Sequence, residues 1–219
     1  MWDSSMTTLI IQGTFETLYM TIASTFLAYV IGLPMGVLLV TSDAEGIVPM
    51  NLTNKILNVV VNITRSIPFL ILLIAVIPFT RLITGTSIGS TATIVPLVIA
   101  ASPFIARLVE SSIKEVDKGI IEASLSMGAS PFQIVTKVMI PEAKPSLIIG
   151  AAIATTTILG YSAMAGIVGG GGLGDIAIRF GYYRYETGVM VVTVVLLVLV
   201  VQIFQEVGMK IAQKQDRRK

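Results

Sequence analysis

The chain contains no histidine and no cysteine. That removes the commonest general base, the commonest zinc ligand and all thiolate or disulfide chemistry. The acids that remain as candidates, Glu110, Glu115 and Asp117, have no such partner nearby and read as solvated surface rather than a proton-transferring pair. Gly169, Gly171 and Gly174 satisfy the GxGxxG spacing of a dinucleotide loop. They follow an apolar helical stretch and not a strand, so a close-packing turn is the favoured reading. The spacing GxxxxGK[ST], whose backbone amides cradle phosphates, is absent. If ATP powers this protein, another chain must bind it.

The remaining chemistry is recognition, and the segment Glu122–Pro141 is built for it. The pattern predicts a helix over Lys118–Met127, with Ile120, Ile121, Leu125 and Met127 apolar and Glu122, Ser124 and Ser126 polar. Gly128 is a natural stop, because glycine takes the left-handed cap without a side-chain clash. Ser130-Pro131-Phe132-Gln133 then predicts a second start: a capping serine, a proline in the first turn and a glutamine able to reach back. Ile134, Val135, Val138 and Met139 fall on one side of this second helix, and Pro141 is expected to end it. A solvated connector is the plain alternative. Helix connections in bundles need only a few residues, however, and the polar region here runs from about Arg107 to Lys144.

The elements that must position this hairpin are apolar. Hydrophobic residues make up 54% of the chain and charged residues 13%, where soluble domains carry about 25% charged. The expected fold is an all-α polytopic membrane bundle, one domain over residues 1–219. A span needs roughly 20 apolar residues, and five candidates are visible: Leu18–Val40, Ile56–Phe79, Thr91–Ala106, Leu147–Val168 and Gly188–Phe204. Pro96 and Pro103 are expected to kink the third. Gly32, Pro34 and Gly36 in the first span, and Gly160 and Gly166 in the fourth, are expected to allow close helix contact. With the N-terminus outside and the C-terminus cytoplasmic, Lys and Arg divide twelve inside (Lys55, Arg65, Arg107, Lys114, Lys118, Lys137, Lys144, Lys210, Lys214, Arg217, Arg218, Lys219) to three outside (Arg81, Arg179, Arg184), the sense that the positive-inside rule favours. No Lys or Arg precedes Lys55, so the first apolar run reads as a retained anchor and not a signal peptide. The net charge of +2, without an aromatic-laced basic patch, argues against nucleic acid.

The apolar runs of the first, fourth and fifth spans contain no Asp, Glu, Lys or Arg, which argues against ion coupling. Arg65 reads as a snorkelling anchor or a residue at the inner mouth of a path. The fourth span, with Thr155, Thr156, Thr157, Tyr161, Ser162 and Met164, is the candidate lining of a solute path. The Val/Leu-rich fifth suits lipid.

The segment Glu122-Ala123-Ser124, three residues, Gly128, nine residues, Val138, one residue, Ile140-Pro141 resembles the coupling motif of ATP-binding-cassette import permeases, EAA…G…I-LP. It departs at Ser124 for alanine, Val138 for isoleucine and Ile140 for leucine. Arg65-Ser66-Ile67-Pro68-Phe69, Gly160–Gly166 and Gly169–Asp175-Ile176 are similar to the methionine-import subfamily. The resemblance implies a non-enzymatic, multi-pass permease of the bacterial inner membrane. It would act as a homodimer in the lipid bilayer, with two ATPase subunits on the cytoplasmic side and an extracytoplasmic substrate-binding protein. ATP and magnesium would belong to the partner, and the cargo would be methionine, with the D enantiomer left open. It carries a coupling role to Glu122, Ala123, Ser124, Gly128, Ala129 and Pro141. Readings that stay open are a permease for another amino acid or small polar solute, an autonomous channel or carrier, and a membrane enzyme.

Overall fold

A computed structural model describes residues 4–215, and no strand occurs among them. Arg217, Arg218 and Lys219 lie outside the described residues. Helix α1 (Ser4–Thr41) is continuous for 38 residues, about 57 Å at 1.5 Å per residue. It begins well before the expected Leu18, because Gln12 and Glu16 sit on an otherwise apolar helical run.

The second expected span is not one helix. α2 (Asn51–Ser66) and α3 (Phe69–Ala75) meet at a bend of 103°. The cause is local: Pro68 has no N–H to give, and its ring pushes Ile67 out of the helical region. α2 is itself amphipathic, carrying Asn51, Asn54, Asn58 and Asn62 among its apolar residues. α4 (Ile77–Thr84) follows and ends on Gly85. α5 (Ser90–Lys114) runs as one helix through Pro96 and Pro103. Its last two turns take in Arg107–Lys114, which had read as loop. α6 (Lys118–Ser126), α7 (Pro131–Ile134) and α8 (Ile140–Glu142) form the hairpin. α9 (Lys144–Ala165), the five-residue α10 (Gly172–Ile176) and α11 (Thr187–Gln215) complete the chain. Among the described residues four helices are long and apolar enough to cross a membrane, α1, α5, α9 with the turn after it, and α11. The bent α2–α3 pair makes a fifth only if counted as one broken span.

The chain divides into two compact units, one of Met1–Leu27, Ile67–Ala101 and Thr155–Gln205, the other of Ala28–Ser66, Ser102–Ala154 and Glu206–Lys219. In the first, Ile10, Leu173, Ile176 and Val189 form a buried apolar cluster. In the second, Leu39, Val61 and Ala106 do so. There Gly32 and Gly36 pack on α5, where an added Cβ would come within 2.7 Å of Ser102 O and 2.6 Å of Ala106 O respectively. The expectation of close contact holds at these two positions. It holds at Gly166 too, but not at Gly160, beside which the space is open. Helix α5 is 61% buried over its most apolar stretch and α11 only 17%.

Candidate functional site

The hairpin is assembled by local rules. Asp117 caps α6, its carboxylate accepting the Gly119 N–H at 2.6 Å. The helix closes in a Schellman motif: Gly128 N–H donates to Leu125 O at 2.9 Å and Ala129 N–H to Ser124 O at 3.1 Å. Gly128 has φ +81°, where any side chain is strained. Across the turn the expected capping box is present, with Ser130 N–H donating to Gln133 Oε1 at 2.9 Å and Gln133 N–H to Ser130 Oγ at 3.4 Å. Pro131 occupies the first helical turn. Ser130→Ala should remove about 1 kcal/mol of capping, read as roughly fivefold faster amide exchange at Phe132 and Gln133.

Pro141 does not end the second helix. The chain continues through it to Glu142, after widening into a π-helical stretch over Val135–Met139. Proline cannot donate to the carbonyl four residues back and its ring crowds that carbonyl. The wider turn accommodates this, with Ile140 N–H bonding Val135 O five residues back.

Burial separates the carried-over positions. Ser124 is buried, its hydroxyl donating to Ile120 O at 2.8 Å. Glu122, Ala123, Gly128 and Pro141 are exposed, and Ala129 is half-buried. Ile134 and Met139 are buried as their spacing predicts. The apolar residues of the first helix are not: Ile120 and Leu125 are exposed, Met127 is 81% exposed and, from α7, Phe132 is 76% exposed. Together they leave exposed apolar side chains on an otherwise polar segment.

Sequence reasoning missed what anchors the hairpin. The loop after α1 supplies Glu45, which accepts from Lys118 Nζ at 2.7 Å, and Asp43, 3.4 Å from Lys114 Nζ. The Lys118 hydrogen bond, reinforced by its charge, holds the Glu45 carboxyl below its ordinary range, and Glu45 in turn raises Lys118. Both side chains are exposed, so the pair orients more than it stabilises. Ser146 at the start of α9 donates to Ser112 Oγ (3.0 Å) and Glu115 Oε1 (3.2 Å) on the other side. An open groove of about 540 Å³ lies between this loop and α6, lined in part by Val40, Ile47, Ile121 and Leu125. Acids two residues apart just after an apolar run, with lysines at the hairpin start, were the available signal.

The candidate path residues do not share one face. Tyr161 stacks on Phe69 with ring centroids 4.4 Å apart and planes 5° apart. Met164 is exposed, whereas Ser162 is buried and donates to Leu159 O of its own helix at 2.8 Å. The glycine-rich loop is a packing device. Gly172 N–H donates to Glu16 Oε2 and Leu173 N–H to Thr17 Oγ1, both at 2.8 Å. These amides are taken by α1 and do not point at a phosphate.

Helices long and apolar enough to cross a membrane, joined by a polar hairpin that exposes apolar residues, define an integral membrane protein. The family described as "Binding-protein-dependent transport system inner membrane component" matches residues 28–210, and the chain belongs to it. It is 48% identical over 99% of its length, and 96% of the relative's, to a protein of Vibrio cholerae named "Probable D-methionine transport system permease protein MetI". It is 52% identical over 72% of its length, and 73% of the relative's, to the "D-methionine transport system permease protein MetI" of Escherichia coli K12. A solved structure titled "Inward facing conformations of the MetNI methionine ABC transporter" matches with TM-score 0.97 and 49% identity, covering 99% of this chain and 100% of that one. An amino acid ABC transporter structure, at 21% identity and TM-score 0.72 over 97% of this chain and 95% of that one, shares the fold.

Proposed function

We propose that this chain is the transmembrane permease subunit of an ATP-driven importer for methionine, acting as one membrane domain in a homodimer. Two separate ATPase subunits grip its Asp117–Ala143 hairpin, and an extracytoplasmic binding protein delivers the cargo. The observation that carries this reading is the hairpin: Glu122 and Ala123 exposed on α6, a left-handed Gly128, and a fully formed capping box, all in register with the coupling motif. Relatives named for D-methionine and methionine transport over nearly the full chain support the cargo.

The chain lies with its N-terminus outside and its tail in the cytoplasm of the bacterial inner membrane. All nine described basic residues expected inside fall in the second compact unit, and the three expected outside fall in the first, which agrees with the positive-inside rule. The sparsely buried α11 faces lipid. A symmetric pair can enclose a path on its two-fold axis that one such bundle cannot. Tyr161 and Met164 of α9 line that path, with Ser162 behind them. ATP binding draws the ATPase subunits together, the hairpins move with them, and the helices change from inward-open to outward-open. Hydrolysis resets the state. The caps matter here because a segment that frays would not carry the displacement.

The test is radiolabelled methionine uptake by proteoliposomes holding the permease, its ATPase and its binding protein. Accumulation should require all three and ATP. Uptake by the purified chain alone, without nucleotide, would refute the reading and favour an autonomous carrier.

A further inference from the structure

Helix α5 carries a charged group roughly once per turn along its final stretch, and each is spoken for. One arm of the Arg107 guanidinium donates to Glu110 Oε2 at 2.5 Å. The other reaches across to α2, donating to Asn58 Oδ1 at 2.6 Å and Asn62 Oδ1 at 2.8 Å. Glu110, only 9% exposed, also accepts from Lys114 at 2.8 Å. Lys114 is in turn paired with Asp43, and Lys118, at the start of α6, with Glu45.

The asparagines are oriented, not merely near. Asn58 Nδ2 donates to Asn54 O (3.0 Å) and Asn54 Oδ1 (2.8 Å), and Asn54 Nδ2 donates to Leu39 O (2.8 Å) and Ser42 Oγ (3.1 Å). With its amide nitrogen committed, Asn58 can offer Arg107 only its oxygen. Asn54, Asn58 and Asn62 recur every four residues and so form one stripe of α2.

Apolar contact already holds these helices together, through Val61, Leu57 and Ala106. A part-buried ion network adds little to stability over apolar packing. What it adds is register: a guanidinium fork holding two amides tolerates neither sliding nor rotation of one helix on the other. We infer that the Arg107–Asn58–Asn62 fork is the rigid link by which displacement of the hairpin, transmitted along α5, is passed to α2. These three are then positioning residues for coupling. This rests on the coupling role proposed above.

The assembled transporter, with its ATPase and binding protein in proteoliposomes, provides the test through methionine moved per ATP hydrolysed. The double variant Asn58→Leu/Asn62→Leu keeps the branched four-atom shape of each side chain and removes both acceptors. It should lower that ratio by ~10-fold while hydrolysis continues, the size expected for lost hydrogen bonds to a charged group. Asn62→Asp, which keeps the acceptor for Arg107 and leaves the Asn58–Asn54 bonds in place, should stay within ~2-fold of the unmodified complex by the same reasoning. An unchanged ratio in the leucine variant, or uptake and hydrolysis falling in proportion, would overturn the inference. If that variant does not assemble, Arg107→Lys keeps the charge and loses the fork: a lowered ratio supports the link and an unchanged one overturns it. No ATP-driven uptake by the unmodified complex would instead sink the coupling reading itself.

Discussion

Gly128→Pro is expected to abolish coupled uptake while the chain still assembles in the membrane. Gly128 sits at φ +81°, whereas proline is fixed near −65°. The substitution also deletes the N–H that Gly128 donates to Leu125 O at 2.9 Å. Nothing lies within 4 Å of a Cβ built there, so the damage is to backbone conformation alone and remains local to the turn. The angle between α6 and α7 changes, and with it the surface formed by Met127 and Phe132. Uptake should fall at least ~10-fold, with the permease present at normal levels in isolated membranes. Gly128→Ala is the graded control, costing about 1–2 kcal/mol for a left-handed alanine and giving a partial loss. Near-normal uptake by the proline variant would show that the turn does not set the docking geometry.

The second large effect is on folding. A Cβ at Gly166 would overlap the backbone of Gly174 and Asp175, and one at Gly174 would overlap the backbone of Ala163. Main chain cannot rotate away as a flexible side chain can. Gly166→Ala should therefore cost about 3 kcal/mol or more by overpacking. In a thermal melt of the detergent-solubilised protein this should appear as a fall on the order of 5–10 °C. Gly150→Ala makes the same chemical change within α9, but its Cβ would meet nothing closer than 3.6 Å, at Leu108. That variant should melt within about 2 °C of the parent or slightly above it, since alanine favours helix. Equal melting of the two would mean that the close crossing at Gly166 is not required.

The hairpin was legible because its determinants are short-range. A cap, a left-handed glycine and a box spanning four residues are encoded by neighbours in sequence, and they appear in register at Gly128, Ser130, Pro131 and Gln133. The failures also have local causes. Pro68 falls inside the expected span Ile56–Phe79, yet the constraint it places on Ile67 breaks the helix there. Pro141 was read as a stop, although a π-turn absorbs it. Proline dictates which hydrogen bond is lost, but the packing around it selects among ending, bending and widening.

By itself the sequence determined a helical membrane chain, its charge asymmetry, its lack of histidine and cysteine and the outline of the helix–turn–helix hairpin. These follow from composition and from bonds between residues a few positions apart. Only the tertiary structure decided that Arg107 grips Asn58 and Asn62, that Glu45 holds the first residue of α6 and Asp43 the last of α5, and that the glycine-rich loop spends its amides on Glu16 and Thr17. Those partners lie on separate helices or loops. Their pairing depends on how apolar surfaces dock, and no local rule in the chain specifies that.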